Sequence, residues 1–160
     1  MSSFKIQEIF ENVNMEVEAQ KVTGTSSNIS VNGKIEMASF NMSGLSTSNN
    51  ILTIPSGYHY FLNVSMYGGN SSENYTAVMR WYNEDSSSYV GSRSYFANQN
   101  STSGPSTYTR QHTRMTPRIM ILDSEISTNM NLSVRLETDF LSLGFRTWNY
   151  IFYTIYRIPS

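Results

Sequence analysis

The sequence predicts an all-β chain: an antiparallel β-sandwich or jelly roll of about eight to ten strands, preceded by a short N-terminal helix or arm. Three observations lead there. Beyond residue 20, apolar and polar residues alternate over most of the chain, the period of a half-buried strand. Turn signals recur about every eight to twelve residues, as in sandwiches and jelly rolls. The composition is 13% aromatic with 11 Tyr and only 14% charged. Few charges with many hydroxyls and rings suit pleated surfaces better than helices.

The N-terminal segment is the one stretch with a helical period. Ile6, Ile9, Phe10, Val13 and Val17 form one apolar stripe. The spacing predicts a helix over residues 4–13, with Ser2 or Ser3 placed to cap it. Glu8, Glu11, Glu16 and Glu18 fall largely off the stripe. Met15, Val17 and Ala19 alternate as a strand would, so the stripe competes with a strand at its end. The expected division is an arm over residues 1–20 and a jelly-roll domain over 21–160. The arm serves either as a lid on the domain or as a docking element, with Phe4, Ile6, Ile9, Phe10 and Val13 as its contact residues.

The β region follows in order. Ile29, Val31, Ile35 and Met37 alternate around Asn32-Gly33. That pair tolerates positive φ at both turn positions and predicts a type I′ hairpin. Residues 45–50 read as a polar loop. Residues 51–54 form a short apolar strand, stopped by Pro55-Ser56-Gly57, and an aromatic strand runs over 58–67. Tyr75, Ala77, Met79 and Trp81 alternate with polar neighbours, and residues 83–87 turn the chain into a second strand over 89–96. Residues 98–107 hold Ser, Thr, Gly and Pro without periodicity, an exposed loop. Ile119 to Leu122 is a short apolar run, expected to be buried on both faces. Leu132, Val134 and Leu136 alternate next, residues 140–144 turn, and an aromatic strand over 148–158 closes the chain.

The chain has 160 residues and a net charge of −1. One domain of that size removes roughly 70% of its unfolded surface from water. Arg80, Arg93, Arg110, Arg114 and Arg118 make the middle basic without clustering, so no nucleic-acid partner is expected. Cysteine is absent. That excludes disulfides and thiolate metal sites and leans towards synthesis in a reducing cytoplasm. The first twenty residues hold no signal-peptide run, and no stretch has the ~20 apolar residues of a membrane span, so membrane insertion is not expected.

No catalytic constellation emerges, and neither a cofactor nor a metal is expected. His59 lies between Tyr58 and Tyr60 in a predicted strand and His112 between arginines, neither at metal-ligand spacing. Asp123 and Glu125 fit an exposed turn better than a hydrolytic pair. Asn83-Glu84-Asp85 lacks the Gly and closing Glu of a calcium loop and reads as a solvated hairpin tip. Asn-x-Ser/Thr triplets, at Asn63 and Asn131 among others, reflect composition more than glycan attachment. The tyrosines outnumber what one small core can use, so some are expected at interfaces.

Ile54-Pro55-Ser56-Gly57-Tyr58-His59-Tyr60-Phe61 resembles the strand–turn–aromatic strand element in the middle of C1q/TNF-like jelly rolls. The closing strand, with Trp148, Tyr150, Phe152, Ile155 and Ile158, is compatible with theirs. The resemblance covers roughly residues 35–158. The stretch from Tyr75 to Asp85, followed by Tyr89-Val90-Gly91-Ser92, is similar to hairpins in small virion proteins of tailed bacteriophages. These resemblances imply a non-enzymatic homotrimer in a virion. It would be a capsid decoration (cement) or head-fibre subunit whose partner is the major capsid protein or another virion protein. The alternative they imply is a receptor-binding head. There Asn83, Glu84, Asp85, Tyr89 and Arg93, with loop 97–107, would contact a host surface glycan or protein.

Overall fold

A computed structural model describes residues 14–23, 29–69, 76–97, 100–101, 108–109, 114–139 and 146–160. The strands are β1 (Glu16–Thr23), β2 (Ser46–Ser48), β3 (Ile51–Pro55), β4 (Tyr58–Gly69), β5 (Thr76–Asn83) and β6 (Ser88–Ala97). They continue as β7 (Asn100–Ser101), β8 (Tyr108–Thr109), β9 (Arg114–Met115), β10 (Arg118–Ile121), β11 (Asn129–Asp139) and β12 (Arg146–Pro159). One 3-10 turn, Asp123–Glu125, joins β10 to β11.

Two antiparallel sheets carry the fold. The first has the order β1-β12-β4-β10, with β9 also on β4; the second is β2-β3-β11-β5-β6. Four nested pairs explain the order: β1 with β12, β3 with β11, β4 with β10, and β5 with β6. A long folded hairpin of this kind, rolled up so that β12 meets β4 and β11 meets β5, is a jelly roll. The chain is therefore an all-β jelly-roll sandwich.

Ser56-Gly57 carries the chain from β3 in one sheet to β4 in the other. Gly57 has φ +93° there, a backbone conformation that is strained for residues carrying a Cβ. The core lies between the sheets, on the alternate residues Tyr60, Leu62, Val64 and Met66 of β4 and Ile151, Tyr153 and Ile155 of β12. Met79 and Trp81 of β5 and Leu132, Val134 and Leu136 of β11 face them. The indole N–H of Trp81 donates to the Pro117 carbonyl at 3.2 Å and the Tyr153 hydroxyl to the Glu36 carbonyl at 2.6 Å. Both buried rings thus keep their polar atoms paired. Burial pushes the Tyr153 hydroxyl pKa far up and that of Tyr60 up to about 12.

Both sides of the sandwich are closed by polar side chains. On one, the Ser92 hydroxyl bonds both the N–H and the carbonyl of Arg118, and Ser94 accepts from the N–H of Thr116 at 2.8 Å, which ties β6 to the edge of β10. On the other, Glu18 accepts the backbone N–H groups of Asn41 and Met42 at 2.8 and 2.7 Å. Burial opposes its charge, but these donors and Gln20 outweigh it and hold the carboxyl below the usual glutamate range. Arg157, 2% exposed, bonds Glu16 at 2.7 Å and the Ser43 carbonyl and stacks on Tyr58 at 4.2 Å.

Three sequence readings need correction. Asn32-Gly33 does turn the chain, with Asn32 at φ 65°, but no hairpin grows from it among the described residues. The segment lies instead along β11, where the Ile35 N–H bonds the Val134 carbonyl at 2.9 Å and Lys34 bridges to Arg135. It extends the sheet past the end of the β3 pairing. The run Ile119 to Leu122 is not buried on both faces: Met120 is 69% exposed, on a strand at the edge of the first sheet whose outer side no described residue covers. Residues 16–20 of the expected arm belong to β1, so the sheet begins at Glu16.

Candidate assembly surface

Alternation gives the first sheet an outward face. Its positions are Val17, Ala19 and Lys21 on β1, Phe152, Thr154, Tyr156 and Ile158 on β12, His59, Phe61 and Asn63 on β4, and Arg118 and Met120 on β10. Register aligns four of them. Val17 pairs with Tyr156, Tyr156 with Phe61, and Phe61 with Met120. An apolar row therefore crosses all four strands at right angles to them, about 14 Å long at the usual strand spacing.

The row is open to solvent. Val17 is 50% exposed, Phe61 39% and Met120 69%. Phe61 and Tyr156 lie against each other at 5.8 Å between ring centroids. Beside the row, Ile158 pairs with His59, and Leu122 and Met15 are also exposed. Most of the large exposed apolar side chains among the described residues gather here. Isolated exposed apolar residues are ordinary, but a contiguous set marks an interaction surface.

The face is also one-signed. Lys21, over the Tyr150 ring at 4.5 Å, Arg118, bonded to Asn63 at 3.2 Å, and Arg114 of β9, bonded to Ser65 at 2.6 Å, are its charges among the described residues. The acids of β1 point the other way: Glu16 and Glu18 are held on the inner side by Arg157 and by the backbone at residues 41 and 42. The nearest carboxylates, Asp123 and Glu125, sit in the turn after β10. Asp123 accepts from the Gly57 N–H at 2.6 Å, which with Ser160 and His59 holds its pKa below the usual aspartate range. Glu125 accepts from the Leu122 N–H at 2.7 Å. His59 Nδ1 accepts from the Asp123 N–H at 3.1 Å, the structural role expected of a strand histidine.

A cleft of about 600 Å³ opens where Phe61 and Met120 meet the gap between the sheets, floored by Val90, Gly91 and Ile119. Among the described residues no cluster of three or more His, Cys, Asp or Glu side chains is arranged to hold a metal.

The sequence-derived contact residues Phe4, Ile6, Ile9, Phe10 and Val13 lie outside the described residues. The hairpin residues are placed, and the fold brings them together on the second sheet. Asn83 Oδ1 accepts the N–H groups of Asp85 and Ser86, which shapes the turn. Asp85 accepts the backbone and side-chain N–H of Asn131, both at 2.8 Å. Glu84 takes Arg135, Ser133 and Lys34. Tyr89 stacks edge-on against Tyr82 at 5.0 Å and donates to Asn32 at 2.8 Å. Arg93 grips Glu137 through two nitrogens, at 3.0 and 2.9 Å. Each of these groups is already committed within the fold.

Sequence reasoning did not single out Val17, Tyr156 and Met120 as one surface. Their alternation was visible, but the register that aligns them joins strands far apart in the chain.

These features define a jelly-roll β-sandwich with one open apolar face. No family model and no curated sequence matches the chain. In fold it is similar to the VP2 subviral particle of infectious bursal disease virus, at 12% identity and a TM-score of 0.44, over 91% of this chain and 33% of that one. This chain thus spans a third of the VP2 chain's length. It is also similar to CBM35 from Cellvibrio japonicus Abf62, at 12% identity and a TM-score of 0.35, over 89% of this chain and 99% of that one.

Proposed function

We propose that this protein is a non-enzymatic structural subunit of a virion, of the capsid decoration or head-fibre kind, acting as a homotrimer on the major capsid protein. One observation carries the reading: the solvent-facing row Val17–Tyr156–Phe61–Met120 across the first sheet. Its action is mechanical. A fully buried Phe or Met side chain contributes about 1.5–3 kcal/mol. The row is already partly covered, so one contact returns less than that sum and barely offsets an association cost of roughly 4–15 kcal/mol. A surface this modest works by repetition, when a symmetric subunit makes several such contacts at once. A shell of many copies supplies that repetition. The short motifs resembling C1q/TNF-like domains and phage virion proteins support the same reading.

Receptor binding through Asn83, Glu84, Asp85, Tyr89 and Arg93 has less support, because a ligand would have to break the internal bonds those groups already make. Electron microscopy of the purified protein, mixed separately with undecorated capsids and with host envelopes, tests both. Regular threefold density on capsids is the expected result. Binding to envelopes alone would overturn it in favour of a receptor role.

A further inference from the structure

Among the described residues, the Lys and Arg side chains divide into two sets. Lys34, Arg80, Arg93, Arg135 and Arg157 each meet a carboxylate within the fold. Lys21, Arg114 and Arg118 meet none there, and all three are exposed on the outer face of the first sheet. We infer that this face takes an acidic, apolar protein surface. An apolar strip of the partner seats on the row Val17–Tyr156–Phe61–Met120, and carboxylates to one side of the strip reach the three cations. The inference rests on the reading of the face as a docking surface and adds the chemistry of the capsid patch it meets.

Register puts the three cations on the same side of the row. Arg118 pairs with Asn63, the next outward position of β4 beyond Phe61. Lys21 pairs with Phe152, which pairs with Ser65, the outward position after that. Arg114 pairs with Tyr67, the next again. At the rise of an antiparallel strand these positions lie about 7, 14 and 20 Å from the row.

Each cation is held by a neutral group. Lys21 lies over the Tyr150 ring, Arg118 bonds the Asn63 side chain, and Arg114 bonds the Ser65 hydroxyl. The charges are thus positioned without being neutralised. Side chains already fixed in place give up less freedom when a partner arrives.

The acids near the face stand at its other end. Asp123 bonds His59 and Gly57, which lie on the far side of Phe61 from the cations, and Glu125 follows in the same turn. The face therefore asks for carboxylates at one end only. An anionic bilayer would press its charge on both ends. Nucleic acid would leave the apolar row uncovered. A second copy brings no outward carboxylate on these strands among the described residues, and its turn acids are already bonded to the N–H groups of Gly57 and Leu122. A protein patch can match the row and the cations together, and complementary charge of this kind fixes its orientation.

Two short amphipathic helical peptides test it, with the same leucine stripe flanked either by Glu or by Lys. Each is titrated into the full chain. The Met120 methyl signal, assigned by its loss in Met120→Ser, reports contact at the face by NMR even when binding is weak. The chain's net charge of −1 gives it no general attraction for acids. The Glu peptide should bind about tenfold more tightly than the Lys peptide at low salt, the sum of three exposed pairs. The preference should fade at about 1 M salt, where screening is nearly complete. Lys21→Gln, Arg114→Gln and Arg118→Gln together should abolish it at an unchanged thermal midpoint; the salt dependence keeps the test decisive where that variant does not fold. Equal affinities, a preference for Lys, a preference that survives the triple variant or high salt, or no shift with either peptide would overturn the inference. Methyl movement with protein concentration alone would overturn it in favour of a second copy. A stronger response to phosphatidylserine vesicles would overturn it in favour of a bilayer. No shell takes part, so failure here leaves decoration standing. A Glu preference with shells that stay bare would sink decoration alone.

Discussion

Nη2 of Arg135 reaches both carboxylate oxygens of Glu84, at 2.7 and 2.6 Å, while its guanidinium lies 3.9 Å above the Tyr82 ring. Ser133 and Lys34 complete the cluster at 2.5 and 3.5 Å. This arrangement ties the tip of the β5–β6 hairpin to β11 and to the segment around Asn32. Arg135→Ala should therefore destabilise the fold by about 1–3 kcal/mol, since it strands a half-buried carboxylate as well as removing a pair. Urea denaturation measures it. A loss under 0.5 kcal/mol, on the order of an ordinary surface change, would show the cluster to be incidental.

The same carboxylate sets a pH dependence. Burial pulls the Glu84 pKa up, but Arg135, Ser133 and Lys34 outweigh it and hold the group below the usual glutamate range. A folded pKa below the unfolded one adds stability that is complete above the unfolded value, about 4.3, and is lost as pH falls through the folded value. Stability should thus be flat above about pH 5 and fall below it. Glu84→Gln should flatten part of that fall. An identical acid limb in both proteins would contradict the assignment.

Two glycines make a contrast. Gly91 has φ +72°, and a Cβ there would stand 2.4 Å from the Arg118 carbonyl oxygen. Gly57 has φ +93° with open space around it. Gly57→Ala should cost only the backbone strain, about 1–2 kcal/mol. Gly91→Ala should cost clearly more, because it also pushes β6 from β10. Thermal melts of the two variants side by side decide it; equal shifts would contradict the steric argument.

Met120→Lys probes the face without the fold. The side chain is 69% exposed on an edge strand, so stability should stay within about 0.5 kcal/mol. Capsid binding should drop sharply in a sedimentation assay. Undiminished binding would move the assembly surface elsewhere.

Much of this architecture was legible in the sequence. The strands on either side of Ser56-Gly57 and the hairpin through Asn83-Glu84-Asp85 follow from local alternation and turn chemistry. In the structure Asn83 pairs with Ser88 across the tip of that hairpin. β1 was half legible. Met15, Val17 and Ala19 marked it, but Glu16 and Glu18 read only as acids off the apolar stripe. They point inward because Arg157 and two backbone amides wait for them, partners no local pattern shows. Arg157 hides in the same way, a charge in the inward phase of Ile151, Tyr153 and Ile155. The exposed apolar row was illegible because it exists only once distant strands are in register.

That nesting has a consequence for how the molecule is made. Glu16 is bonded to Arg157, 141 residues further on. The first sheet therefore cannot close until the final strand has left the ribosome. During synthesis β1 and β4 must wait with unsatisfied edges, a state that favours slow folding and sticking between nascent chains. A chain translated in many copies at once would meet its neighbours in that condition. The yield of native protein should then depend on chaperones and on translation speed more than on final stability.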